Sequence, residues 1–152
     1  MTVLAAPIAP AGRVLGVDLG SRRIGIAVCD SGQRVATPVT AISREADAGA
    51  HRRALAALVA DHEAVGVVVG LPRSLSGELG PAARAALAET DELRAALGVP
   101  VETADERLTT VSAATALRAS GHRAREQRRL IDASAAAVLL QAWLDARVVS
   151  GK

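Results

Sequence analysis

Three acidic positions in the sequence have the residue types that a divalent cation requires. Asp18 closes the apolar run VLGVD, the pair Asp105 and Glu106 follows the stretch VPVETA, and Asp132 precedes an apolar helical pattern. Buried carboxylates repel each other and are costly unless a cation compensates them. Oxygen-only ligation favours Mg²⁺ or Mn²⁺. Two such ions roughly 4 Å apart can activate water and stabilise the leaving oxygen of a phosphodiester. If these acids converge, the chemistry they indicate is metal-dependent phosphodiester cleavage.

Each acid also fits a purely structural role. Asp18 stands before Leu-Gly, where a turn former is common. Asp105 and Glu106 fit a solvated loop, and spacing alone does not choose between them as a ligand. Asp132 fits the N-cap of the last helix. Convergence therefore depends on the elements that carry these residues.

The elements follow from apolar periodicity and turn signals. The first two strands, Val14–Leu19 and Ile24–Asp30, are joined by GSRR as a hairpin. The further predicted strands are Arg34–Ile42, Val65–Val69 and Val99–Thr103. Predicted helices run from a Ser43 cap to about His62, from Pro81 to Leu97 with Gly98 as terminator, and over 109–119. The apolar stripe of the last helix is Ile131, Ala135, Val138, Leu139, Ala142 and Trp143.

This order, β-β-β-α-β-α-β-α-α, predicts an α/β fold. Three antiparallel N-terminal strands and then parallel strands form a five-stranded mixed sheet with helices on both faces. Ligands in such sheets sit beyond the carboxyl ends of parallel strands. If strands one and five run parallel near the centre of the sheet, Asp18 and the acid after strand five reach one crevice. Residues 13–147 are predicted to be a single domain between a flexible N-terminal tail at 1–12 and a C-terminal tail at 148–152.

Composition excludes several classes of protein. The chain has no Phe, no Tyr and one Trp, so it cannot grip single strands through stacked aromatics. Its single cysteine, Cys29, excludes an internal disulfide and a multi-cysteine zinc site, and its apolar surroundings favour a core role. The three histidines lack metal-ligand spacing and are expected on helix surfaces or loops. The opening residues lack a basic n-region, and no apolar run is long enough for a membrane span. We expect a cytoplasmic protein without a membrane partner.

Four ordered motifs carry a resemblance to a known family. VDLGSRRIGIAVCD, VVVGLPRSLSGELG, DERLTT and IDASAAAVLLQAWL together resemble the YqgF/RuvX family over roughly residues 13–147. The family belongs to the RNase H-like superfamily and is described as Holliday junction resolvases and as nucleases that mature the small-subunit ribosomal RNA precursor. The resemblance implies that Asp18, Glu106 and Asp132 are the catalytic, metal-binding acids. It also favours Glu106 over Asp105, and neighbours in extended chain point to opposite sides. In the loop after Leu71-Pro72 the sequence departs from the family pattern.

The basic residues agree with a nucleic-acid partner. Of 18 basic residues only one is lysine, and arginine suits bidentate phosphate contacts. Residues 118–129, RASGHRAREQRR, hold five arginines against Glu126 alone and are predicted to be a polar loop. A solvated surface fits this cluster equally well. The candidate phosphate contacts are Arg22, Arg23, Arg73, Arg107, Arg123, Arg125, Arg128 and Arg129.

The expected function is a Mg²⁺- or Mn²⁺-dependent endonuclease in 5′-end maturation of pre-16S rRNA. Cleavage of branched DNA as a Holliday junction resolvase is the alternative, as is a catalytically silent RNA-binding ribosome-assembly factor. A sugar-kinase-like phosphotransferase shares Asp-x-Gly after its first strand but needs two such domains, and 152 residues supply one. Monomer and homodimer both fit the sequence, and a symmetric junction cutter requires two sites.

Overall fold

A computed structural model of the protein describes residues 7–20, 22–44, 48–71, 80–105 and 124–149. The strands are β1 Val14–Leu19, β2 Arg23–Cys29, β3 Ala36–Ser43, β4 Gly66–Leu71 and β5 Val101–Asp105. The helices are α1 Ala48–Asp61, α2 Pro81–Leu97 and α3 Ala124–Val149. The helix predicted over 109–119 and the loop after Leu71 lie outside the described residues.

The five strands form one mixed sheet in the order β3-β2-β1-β4-β5. The hairpins β1–β2 and β2–β3 are antiparallel, whereas β1–β4 and β4–β5 are parallel. The predicted α/β class and strand directions are confirmed. One placement was wrong: β5 lies at the edge of the sheet, with β4 between it and β1. Because β1 and β5 run in the same direction, their carboxyl ends still lie at the same end of the sheet, two strand spacings or roughly 10 Å apart.

Successive side chains along each strand point to opposite faces of the sheet, so the core is divided into two clusters. One face packs against α1 and α2 through a cluster that includes Leu15, Val17, Leu55 and Leu93. The other face packs against α3 through a cluster that includes Val14, Val68, Ala136, Leu140 and Leu144. Even-numbered positions of β1 therefore face α3. Asp18 has the same parity as Val14, so its side chain lies on the α3 face.

Helix α3 differs from its prediction in its start and in part of its buried face. It begins at Ala124, so the second half of the predicted arginine-rich loop is helical. Of the predicted stripe, Ala135 and Leu139 are buried and Ala142 is exposed. The buried residues also include Ala133, Ala136 and Leu140. The helix is alanine-rich on several sides, so apolar content alone identified only part of the buried face.

Two strand glycines let α3 approach the sheet closely. A Cβ on Gly16 would lie 2.8 Å from Leu140 Cβ, and one on Gly25 would lie 2.0 Å from the Asp132 carbonyl oxygen. Real Cβ atoms do not approach so closely, so only glycine allows this packing. Residues of α3 are thereby fixed against β1 and β2 at the level of Asp18.

The folded part of the chain begins earlier than predicted. Ile8, within the expected N-terminal tail, is 2% exposed and packs over the α carbon of Gly66. Its backbone N–H donates to Glu102 Oε2 at 3.2 Å, and Arg147 donates to its carbonyl at 3.0 Å. Residues 7–12 are thus held on the domain by burial and hydrogen bonds, while residues 1–6 lie outside the described part.

One histidine is also placed differently from its prediction. His51, on α1, is 7% exposed, and neither ring nitrogen has a hydrogen-bond partner among the described residues. His62 is half-buried near the end of α1, and His122 lies outside the described residues. Within the described ranges, no helix has the length and apolar character needed to cross a membrane.

Candidate metal and nucleic-acid site

Asp18 lies at the carboxyl end of central strand β1, in a row of small neighbours. It pairs with Gly25 of β2 on one side and Gly70 of β4 on the other, and Gly70 pairs with Ala104 of β5. Directly paired residues share a face of the sheet. The half-buried carboxylate of Asp18 therefore projects toward α3 from between two strand positions that carry no side chain. The strand positions on either side of Asp18 thus add no side chains, and α3 packs directly over Gly25.

Asp132 is brought to the same place by α3. Its carbonyl oxygen packs over Gly25, the cross-strand partner of Asp18. Its side chain accepts an ion-paired hydrogen bond at Oδ2 from Nε of Arg23 at the start of β2. The two acids, 114 positions apart in sequence, thus lie on one face at adjacent strands. The N-cap interpretation of Asp132 was wrong, because eight helical residues precede it.

The third predicted acid, Glu106, lies outside the described residues, as do Arg73, Arg107 and Arg123. Within the described ranges, no three His, Cys, Asp or Glu side chains are grouped to hold a metal. Glu106 directly follows β5, whose carboxyl end is on the same side of the sheet as Asp18. The structure therefore gives the positions of two of the three predicted acids, Asp18 and Asp132.

The predicted phosphate contacts fall into different settings. Arg22 is exposed, whereas Arg23 is bonded to Asp132 and is 30% exposed. Arg125, Arg128 and Arg129 are on the first two turns of α3, and only their backbone is described. Sequence reasoning assigned Arg23 to phosphate and did not predict its pairing with an acid. No local signal links residues 109 positions apart.

A cavity of about 450 Å³ lies beside the carboxyl end of β1, on the face opposite the acids. It is lined by Leu19, Gly20, Arg44, Glu89 and three alanines of α2. Arg44 donates to both carboxylate oxygens of Glu89 at 3.0 Å and to the Gly20 carbonyl. These two charges neutralise each other, so we place the candidate chemistry at the acids and not in this cavity.

Two other polar residues have structural roles. Asp30 Oδ1 accepts from the backbone N–H groups of Arg34 and Val35, at 2.8 and 2.9 Å. Those backbone bonds, with Val35 the larger cause, hold the pKa of Asp30 below its usual value. Cys29 is buried, accepts from Val14 N–H at 3.2 Å, and burial raises the pKa of its thiol. Asp30 therefore belongs to the turn after β2, which ends at Cys29, and the core role predicted for Cys29 is confirmed.

Residues 12–146 match the family model described as RuvX, Holliday junction resolvase. A protein of Mycobacterium ulcerans (strain Agy99) is 51% identical over 137 residues, covering 90% of this chain and 80% of that protein. A protein of Mycobacterium tuberculosis (strain ATCC 25177 / H37Ra) is 49% identical over 140 residues, covering 91% and 82%. Both carry the name "Putative pre-16S rRNA nuclease".

Among solved structures, Thermus thermophilus RuvC in complex with Holliday junction substrate superposes with a TM-score of 0.52. It is 21% identical in sequence, and the match covers 91% of this chain and 97% of that chain. A second Thermus thermophilus RuvC structure gives the same TM-score at 20% identity, covering 90% and 96%. At this identity the likeness shows the fold, which is the RNase H-like α/β fold of RuvC.

Proposed function

Because the chain belongs to the RuvX Holliday junction resolvase family, we propose that it is an endonuclease that hydrolyses phosphodiester bonds with Mg²⁺ or Mn²⁺. Asp18, Glu106 and Asp132 are the proposed metal ligands. The single observation that carries this proposal is the position of Asp132 over Gly25, beside Asp18 at the carboxyl end of β1.

The described part of the site fits a hard divalent cation. Both placed donors are carboxylates, which Mg²⁺ and Mn²⁺ prefer. Gly25 and Gly70 leave the positions on either side of Asp18 without side chains. A cation there would supply charge compensation for the acids and activation of water for attack on phosphorus. The acids themselves would fix its position.

The proposed substrate is structured RNA, with 5′-end maturation of pre-16S rRNA as the biological reaction. The names of relatives at 49–51% identity support this choice. The description of the family supports a second candidate, resolution of branched DNA. We place the activity in the cytoplasm, where bacterial ribosomal RNA and DNA are both found.

Substrate binding is proposed to rest on arginine. In a continuous α-helix, positions 125, 128 and 129 lie seven, four and three residues before Asp132, which sets them on its side of α3. Together with Arg22 they form a proposed track for the phosphate backbone toward the acids. Arg73, Arg107 and Arg123 are proposed to extend it. With one aromatic in the chain, affinity would depend on backbone charge and shape.

The test is cleavage of a pre-16S rRNA fragment and of a four-way DNA junction by the parent protein and Asp18→Asn. We expect cleavage with Mg²⁺ or Mn²⁺, none with Ca²⁺ or chelator, and a loss of roughly 100-fold or more in Asp18→Asn, since outer-shell changes alone cost 10–100-fold. Asp30→Asn is the matched control, because Asp30 only bonds its own turn.

Each alternative has its own outcome. Preferred cleavage of the junction by a dimer would select the resolvase function. Tight RNA binding without cleavage of either substrate would select a silent assembly factor. Undiminished cleavage in excess chelator would exclude the metal mechanism.

A further inference from the structure

The ion pair between Arg23 and Asp132 joins a residue proposed for phosphate to a residue proposed for metal. Arg23 Nε donates to Asp132 Oδ2, and the two side chains are only 30% and 26% exposed. This partial burial distinguishes the pair from the surface pair Arg52–Glu92, in which Glu92 is 61% exposed. Partly buried charges are less screened by solvent, so their interaction is the stronger one.

The neighbouring arginine provides a contrast. Arg22 is exposed, and within the described ranges its side chain forms no ion pair. Arg23 shares parity with Gly25 and therefore lies on the α3 face with Asp18. Of these two adjacent cations, only Arg23 is directed to the acids.

We propose that Arg23 is the built-in counter-cation of this site: it holds Asp132 when metal is absent and competes with the divalent cation for that carboxylate. The inference rests on the proposed metal-dependent function. Asp18 and Asp132 repel each other without a cation nearby, and the guanidinium offsets that repulsion. A divalent ion bound to Asp132 would in turn repel a guanidinium on the same carboxylate. Metal binding should therefore weaken the Arg23–Asp132 pair, and removal of Arg23 should strengthen metal binding.

Calorimetric titration with MgCl₂ or MnCl₂, without nucleic acid, tests the competition directly. We expect Arg23→Gln to bind the metal about tenfold more tightly than the parent, because one nearby positive charge is removed. Arg34→Gln removes the same charge from an exposed position in the turn after β2 and should stay within about twofold of the parent. Equal or weaker metal binding by Arg23→Gln would overturn the proposal.

A double-mutant cycle then tests the exchange without using activity. The parent, Arg23→Gln, Asp132→Asn and the double variant are unfolded with urea, first in chelator and then at saturating Mg²⁺. The coupling free energy between positions 23 and 132 should be measurable in chelator and should decrease at saturating Mg²⁺. If the parent binds Mg²⁺ but the coupling free energy stays the same, Arg23 remains paired with Asp132 and is not displaced by the metal.

The same measurements separate failure of this inference from failure of the proposed function. A parent that binds neither metal would refute the metal-dependent function. In that case a coupling free energy that does not change with metal would show that Arg23 and Asp132 form a structural ion pair only. A parent that binds metal but shows no coupling in chelator would refute the counter-cation alone.

Discussion

Asp132 is the ninth residue of α3, too far along the helix to satisfy the free N–H groups of its first turn. Replacement should therefore not incur the cost of a missing cap. Alanine is the best helix former, which offsets part of the energy of the broken ion pair with Arg23. We expect Asp132→Ala and Asp132→Asn to unfold within about 1 kcal/mol of the parent. Both should cleave poorly at saturating Mg²⁺.

Urea unfolding and a cleavage assay on the same preparations check this prediction, with the exposed acid Asp145 of the same helix changed to Asn as control. A loss of stability confined to the alanine variant would reinstate a capping role. Parent-like cleavage by Asp132→Asn would remove this residue from the metal ligands.

The lowered pKa of Asp30 predicts how the stability of the protein depends on pH. Its pKa is lowered in the folded state by backbone N–H donors, so its contribution to stability is present above the unfolded pKa of about 3.9. That contribution is lost as pH falls through the lower folded pKa. Asp30→Ala should therefore be less stable than the parent at pH 7, and the difference should narrow below about pH 4. Thermal melts between pH 7 and pH 3 measure it, and a constant difference over this range would contradict the assignment.

At the scale of elements, the contact between β2 and α3 determines where Asp132 sits. Gly25→Ala would place a methyl group against the Asp132 carbonyl, so the helix must move away. We expect a loss of at least about 2 kcal/mol and strongly reduced cleavage, since overpacking costs 1–3 kcal/mol. Gly80→Ala is the control, because no atom of the described residues lies within 4 Å of its added methyl group. Equal urea midpoints for the two variants would show that α3 is not held by this contact.

The elements were predicted best where local chemistry marks their ends. Strand β1 has its predicted bounds, and α2 runs from Pro81 to Leu97, where Gly98 adopts a left-handed conformation at φ 73°. The start of α3 was missed because arginines carry no apolar periodicity, although arginine is itself a good helix former. Aspartate is also preferred at helix starts. For this reason the predicted start of α3 was placed at Asp132, eight residues too late.

Over the whole molecule, the proposed arginine track should govern how salt affects binding. Removing one phosphate-binding charge should reduce the log–log salt slope by just under one unit. We expect Arg125, Arg128 and Arg129, replaced together by Ala, to weaken binding of the RNA fragment and flatten the slope by about two to three units. Arg53→Ala is the control, since this exposed arginine lies on α1, across the sheet from α3. An unchanged slope in a folded triple variant would make the cluster a solvated surface.

The family and the general architecture were both predictable from sequence, and both are confirmed. The positions of Asp18 and Asp132 agree with the expected convergence. What sequence could not show depends on contacts between distant residues. The pairing of Arg23 with Asp132 and the burial of Ile8 on Gly66 arise only when the sheet and α3 are assembled. The edge position of β5 likewise follows from strand pairing, which local patterns do not encode.

Trp143 makes the protein its own spectroscopic reporter. With no Tyr in the sequence, its indole is the source of intrinsic emission. The ring donates to Glu102 at 3.1 Å and carries the Arg147 guanidinium 4.4 Å from its centroid. Both partners also bind Ile8. Release of the N-terminal segment would change the polarity around this ring, so fluorescence excited at a tryptophan wavelength would follow that end of the domain without an added label.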